Sequence, residues 1–107
     1  MTHPHLSDIL DQIKSFFKEF YSSNLAKMIL YGSQARGDAE LRSDIDILII
    51  LCNDVNSHYE IDRTSFFISK FCLDHDVVVS RHFISLHKYE NTNNPFLENI
   101  RRDGIVI

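Results

Sequence analysis

Asp44 and Asp46 stand one residue apart at the head of the segment Asp-Ile-Asp-Ile-Leu-Ile-Ile-Leu, residues 44–51. The segment is rich in β-branched residues and too short for a good helix, so it reads as a strand. Alternation then puts both carboxylates on one face and sends Ile45 and Ile47 to the other. Two carboxylates this close repel each other and raise each other's pKa. A divalent cation removes that conflict. An all-oxygen, half-open ligand set suits Mg²⁺, which keeps some of its water and takes up substrate phosphates. By itself an Asp-x-Asp pair is more often a solvated strand end.

Upstream, Gly32-Ser33 follows the apolar run Leu25–Tyr31. A Gly-Ser turn between a strand and a helix exposes backbone N–H groups that attract phosphate. Gly32 allows close backbone approach, and Ser33 adds a hydroxyl and is expected to cap a short helix through Gln34-Ala35-Arg36. Arg36, one turn in, reaches phosphates or else pairs with Asp38 or Glu40. A third acid comes from Asp74-His75-Asp76, which runs into Val77-Val78-Val79 and reads as the start of a further strand. Asp74 and Asp76 share parity. Asp76 is preferred because the apolar run follows it directly, as one follows Asp46.

The remaining elements must hold these groups. Leu6, Ile9, Leu10, Ile13, Phe16, Phe17, Phe20 and Tyr21 form the stripe of an amphipathic helix over 6–21. A strand over 25–31, a helix over 58–72, a strand over 75–79 and a last helix from Pro95 to Gly104 follow, with 82–90 ambiguous. The fold class is α/β (α+β): one two-layer domain over 1–107, a small mixed sheet backed by helices.

Eleven basic residues stand against 15 acidic ones, a net charge of −4, which argues against nucleic acid as a direct partner. The start lacks a basic region followed by an apolar stretch, and the longest uncharged apolar run, Ile47–Cys52, is too short for a bilayer. A cytoplasmic protein without a membrane partner is expected, with Cys52 and Cys72 reduced and buried. The six His lack ligand partners at a recognised spacing and read as ordinary. Phe66, Phe67, Phe71, Phe83 and Phe96 read as core, although an exposed cluster among them would mark a partner interface.

Gly32-Ser33, ten residues, then Asp44-x-Asp46, with Ala35-Arg36-Gly37 and the ending Asn94-Pro-Phe-Leu-Glu-Asn-Ile-Arg-Arg-Asp-Gly-Ile, resembles the minimal nucleotidyltransferase (MNT) branch of the DNA polymerase β-like superfamily. The resemblance covers nearly the whole chain. It implies that Gly32 and Ser33 hold the triphosphate of ATP and that Asp44 and Asp46 bind one or two Mg²⁺ ions. It implies Asp76 as the third carboxylate, so that three acids from two adjacent strands converge opposite the Gly-Ser bend. It further implies an antitoxin that transfers AMP from ATP to a tyrosine of a cognate HEPN RNase toxin. The alternatives are a non-catalytic antitoxin that acts by binding, and a small-molecule nucleotidyltransferase of the aminoglycoside-modifying kind.

Overall fold

The computed structural model describes residues 3–40 and 43–107. Arg42, a candidate shaper of the loop before the acidic pair, lies outside the described residues. The chain runs α1 (Leu6–Tyr21), a 3₁₀ turn (Ser22–Asn24), β1 (Leu25–Tyr31), α2 (Ser33–Arg36), β2 (Ile45–Leu51), α3 (Ser57–His75), β3 (Val79–Ser85), α4 (Leu86–Asn91), α5 (Pro95–Asp103) and β4 (Ile105–Val106). The sheet order is β3-β2-β1-β4. β1 is antiparallel to both β2 and β4, and β2 is parallel to β3. Parallel neighbours need a crossover, which α3 supplies. A mixed four-stranded sheet with helices on both faces is the result.

The apolar stripe of α1 buries Ile9, Ile13, Phe17 and Tyr21, a repeat of four that keeps one face toward the sheet. With Ile68 and Phe71 of α3 they cover the sheet face made by Met28, Leu30, Ile45, Ile47, Ile49, Leu51, Val79 and Phe83. Each such fully buried side chain contributes roughly 1.5–3 kcal/mol. The opposite face carries a smaller cluster, Ile29, Leu48 and Ile50 under Leu97 and Ile100 of α5. Asn94 caps α5, its side chain accepting from the Leu97 amide, and Pro95 takes the first turn.

Several sequence expectations are corrected here. The strand expected over 75–79 begins only at Val79. Helix α3 instead runs on through Asp74 and His75. Lys70 Nζ donates to Asp74 at 2.7 Å, one turn apart, and Asp76 closes the helix in the left-handed region with φ 52°. An Asp tolerates that conformation better than most residues. The edge pair β4 was not anticipated. Ser33 is the first residue of α2 and makes no side-chain cap; the capping position is Gly32. Both cysteines are free, but Cys52 is exposed and Cys72 half-buried. Phe66 and Phe96 lie at the surface.

Arg81 explains why β3 keeps its register. It points into the α3 side of the sheet, where its Nε donates to Thr64 Oγ1 and its Nη2 to the Ile61 carbonyl, both at 2.8 Å. Burial lowers its pKa from the usual arginine value, so these bonds matter for keeping the charge there. With Arg81 pinned on that face, Ser80 and His82 must present to the other.

Candidate functional site

The ends of β1 and β2 build the site. Tyr31 pairs with Asp46 across the antiparallel ladder, and β1 then breaks at Gly32, whose φ is 75°. A side chain at Gly32 would be strained at that φ and would overlap Oδ2 of Asp46. Only glycine lets the bend lie directly against the carboxylate. Ala35 and Arg36 both donate their amides to the Gly32 carbonyl, which winds α2 immediately after the bend. The sequence-predicted meeting of the Gly-Ser step and the acidic pair is therefore present.

Buried Gln34 fastens the approach to the pair, its Nε2 donating to the Ser43 carbonyl at 3.4 Å. Ser43 Oγ in turn accepts from the Glu40 amide at 2.8 Å. Asp44 is exposed at the foot of β2, and Ser80 Oγ donates to its Oδ2 at 3.1 Å. Asp46 is half-buried. Burial, and then the charge of Asp44, push its carboxyl above the usual range, while His82 and Arg36 pull the other way. Arg36 itself pairs with Asp38 at 3.2 Å, the salt bridge weighed against a phosphate role above.

Asp76 is not on the strand that adjoins β2. The residue opposite Asp46 on β3 is Ser80, and opposite Leu48 is His82. Asp74 is tied to Lys70 on α3. Asp76 lines a depression with Ser43, His3 and His5. Among the described residues no set of three His, Cys, Asp or Glu side chains is grouped so as to hold a metal ion. The expected convergence of three acids from two adjacent strands is thus corrected to two acids, because α3 keeps Asp74 and Asp76 within and at the end of a helix.

Beside the acidic pair stands a group in which the histidine reads from sequence as ordinary. Tyr31 Oη and His82 Nδ1 are 2.7 Å apart, reaching over β2 beside Asp46. Phe96 packs edge-on against Tyr31 and tilted against His82. Burial and the charge of Asp46 push the Tyr31 hydroxyl up to about 12, so it stays protonated at neutral pH. Tyr31, Gly32, Arg36 and Phe96 also line one small hollow next to the bend, closed by Asn99 and Asp103 of α5.

What this arrangement can do follows from its donors. Asp44, Asp46 and the Ser80 hydroxyl are all oxygen donors, open to solvent on the Asp44 side. They carry a like-charge conflict that a divalent cation relieves, and they adjoin the Gly32 bend. The set fits Mg²⁺ with bound phosphates better than a soft metal.

Comparison with known proteins gives the family. Residues 10–104 match the nucleotidyltransferase domain family. The chain belongs to the nucleotidyltransferase family. A candidate protein adenylyltransferase of Methanocaldococcus jannaschii is 36% identical over 99 residues, covering 89% of this nucleotidyltransferase and 93% of the relative. A second from the same organism is 32% identical over 76 residues, covering 68% and 76%. The crystal structure of a toxin–antitoxin with AMP-PNP superposes with a TM-score of 0.60 at 16% identity, covering 92% of this chain and 70% of that one. A candidate nucleotidyltransferase from Sulfolobus solfataricus superposes with a TM-score of 0.50 at 24% identity, covering 92% and 72%. These structures share the fold. No helix among the described residues is long and apolar enough to cross a membrane.

Proposed function

We propose that this nucleotidyltransferase transfers AMP from ATP to a tyrosine hydroxyl of a cognate protein, a HEPN-family RNase toxin, and so acts as its cytoplasmic antitoxin. The observation that carries the reading is the Asp46 carboxylate packed against the side-chain-free Gly32 bend, with Asp44 two residues away on the open side. The names of the archaeal relatives and of the toxin–antitoxin neighbour support it.

In this reading Asp44 and Asp46 hold Mg²⁺, which when bound neutralises charge on the phosphates and on the entering and leaving oxygens. Gly32 and Ser33 seat the triphosphate, and Arg36 turns from Asp38 toward it. The acceptor hydroxyl attacks the α-phosphorus in line. The new bond is tyrosine oxygen to phosphorus, the broken bonds are phosphorus to the bridging oxygen and the acceptor's O–H, pyrophosphate leaves, and the hydroxyl proton passes to water. Ser80, opposite Asp46 on β3, orients Asp44, while the Tyr31–His82 pair stands beside Asp46. The chain mainly positions groups and supplies fixed charge.

The test mixes the protein with α-labelled ATP, Mg²⁺ and the protein encoded beside it. Label on a partner tyrosine is the expected result. A second reading, an antitoxin that acts by binding alone, is favoured by the place of Asp76 at the end of α3. It requires a tight complex with no label. Label on an added aminoglycoside without any protein partner would instead mark a small-molecule enzyme.

A further inference from the structure

Helix α3 turns Glu60, Thr64, Ile68 and Phe71 inward. Its outer face also carries large apolar side chains. Phe66 is 85% exposed, Leu73 83% and Tyr59 56%. These three recur every seven residues, so they form one stripe that drifts only slightly around the helix. Neighbouring Phe67 stacks on Phe16, whereas Phe66 projects into solvent. Ser65 and Ser69 are small residues beside it and line, with Lys70 and Leu73, a shallow groove along the helix.

The row through Phe66 at intervals of four is His58, Asp62, Phe66, Lys70, Asp74. Its charged members are all at the surface and are bridged within the helix, His58 to Asp62 at 3.5 Å and Lys70 to Asp74 at 2.7 Å. Read backward, the row is complementary to itself. Turned about Phe66, Asp62 faces Lys70, and the His58 ring faces Asp74. In a parallel alignment every charge would meet its own kind. Rows of this spacing run about 26° off the helix axis, so two of them lie along each other when the helices cross at roughly 50°, the commonest packing class. At that crossing Phe66 meets Phe66, and Tyr59 and Leu73 of the two copies take the four corners around the pair. Arg63, the remaining charge nearby, is occupied by Glu60 at 3.2 Å and lies over the Tyr59 and Phe20 rings.

We infer that α3 is the interface of a homodimer: two copies of this chain pack antiparallel through Phe66, with Asp62 of each paired to Lys70 of the other. The occupant is a second copy because the charge order of the row fits its own reverse, a property that an unrelated protein does not require. The face is separate from Gly32, Asp44 and Asp46, which lie where β1 ends and β2 begins. Dimerisation through it does not depend on the nucleotide reading.

Sedimentation or light scattering on the full chain tests this. The wild type is expected to show twice the chain's mass, and Phe66→Glu, which puts two like charges on the axis, to show one. Asp62→Lys and Lys70→Asp are each expected to lose the dimer, because each places like charges opposite each other. Mixed together, the two single variants are expected to regain the doubled mass as a heterodimer in which both contacts are again complementary. Circular dichroism of each variant shows that it is folded. A wild type that stays monomeric up to its solubility limit overturns the proposal. A dimer that survives Phe66→Glu also overturns it, as does a mixture of the two folded charge variants that stays monomeric.

Discussion

The two faces of β2 are made by alternate residues of one seven-residue strand, yet they meet different surroundings. On one face Ile45, Ile47, Ile49 and Leu51 are at most 1% exposed, covered by long helices α1 and α3. On the other, Leu48 and Ile50 are equally buried under the nine-residue α5, but Asp46 lies where that cover gives out. The short helix leaves the head of the strand uncovered, and the charge is tolerated there. The site is thus a place where the fold stops packing. The carboxylates are kept in an environment that raises one of them, a cost in stability that binding can relieve.

The sharpest way to break the contrast is to change each face in turn. Asp44→Asn with Asp46→Asn is expected to lower AMP transfer by about a thousandfold or more, ~4 kcal/mol, with an unchanged circular dichroism spectrum. Ile47→Ala, on the buried face of the same strand, is expected to cost about 2–5 kcal/mol in denaturant unfolding. At temperatures where that variant stays folded it should retain transfer. His82→Ala is expected to lower transfer about ten- to a hundredfold, the usual range for groups that orient a metal or substrate site, measured as kcat/KM against pH.

Asp46→Asn alone should raise the melting temperature of the protein without metal by a few degrees. The sign follows from the raised carboxyl. The folded protein holds this proton at pH values where the unfolded chain has lost it. The group's contribution to stability is therefore best in acid and declines as pH rises through the ordinary carboxylate range to the raised folded value. The same decline should vanish in Asp46→Asn. The smallest effect is expected for Asp76→Asn, with stability within about 0.5 kcal/mol of wild type and transfer unchanged. A loss there as deep as at Asp46 would restore the third acid that the register of β3 assigns to Ser80.

Much of this was legible in the residues. Helix α1, strand β1 and helix α5 end where their apolar periodicity and their capping residues end, and the Gly32–Asp46 juxtaposition follows from spacing and alternation. Strand β3 was not legible because its signal is inverted. Val77 and Val78 have strand propensity but precede the strand, while Arg81 occupies an inward position through bonds to Thr64 and Ile61 that no local pattern announces. A strand ending at Val79 hides the parity of His82 with Ser80 and the acidic face, and gives Asp76 a place it does not hold. Tyr31, immediately before Gly32, was the available hint that an aromatic hydroxyl flanks the site. Phe66 escaped because a phenylalanine in a helix is more often core, and only its neighbours Phe67 and Ile68 show which side of α3 is occupied.

Calorimetric titration of a non-hydrolysable ATP analogue, with and without Mg²⁺, tests the central claim most directly. The wild type should bind the analogue only when Mg²⁺ is present, and Asp44→Asn with Asp46→Asn should abolish that binding in a folded protein. Binding of equal strength in the double variant, or in the wild type after Mg²⁺ is removed by chelation, would contradict the assignment of the acidic pair and the Gly32 bend to a metal–nucleotide site.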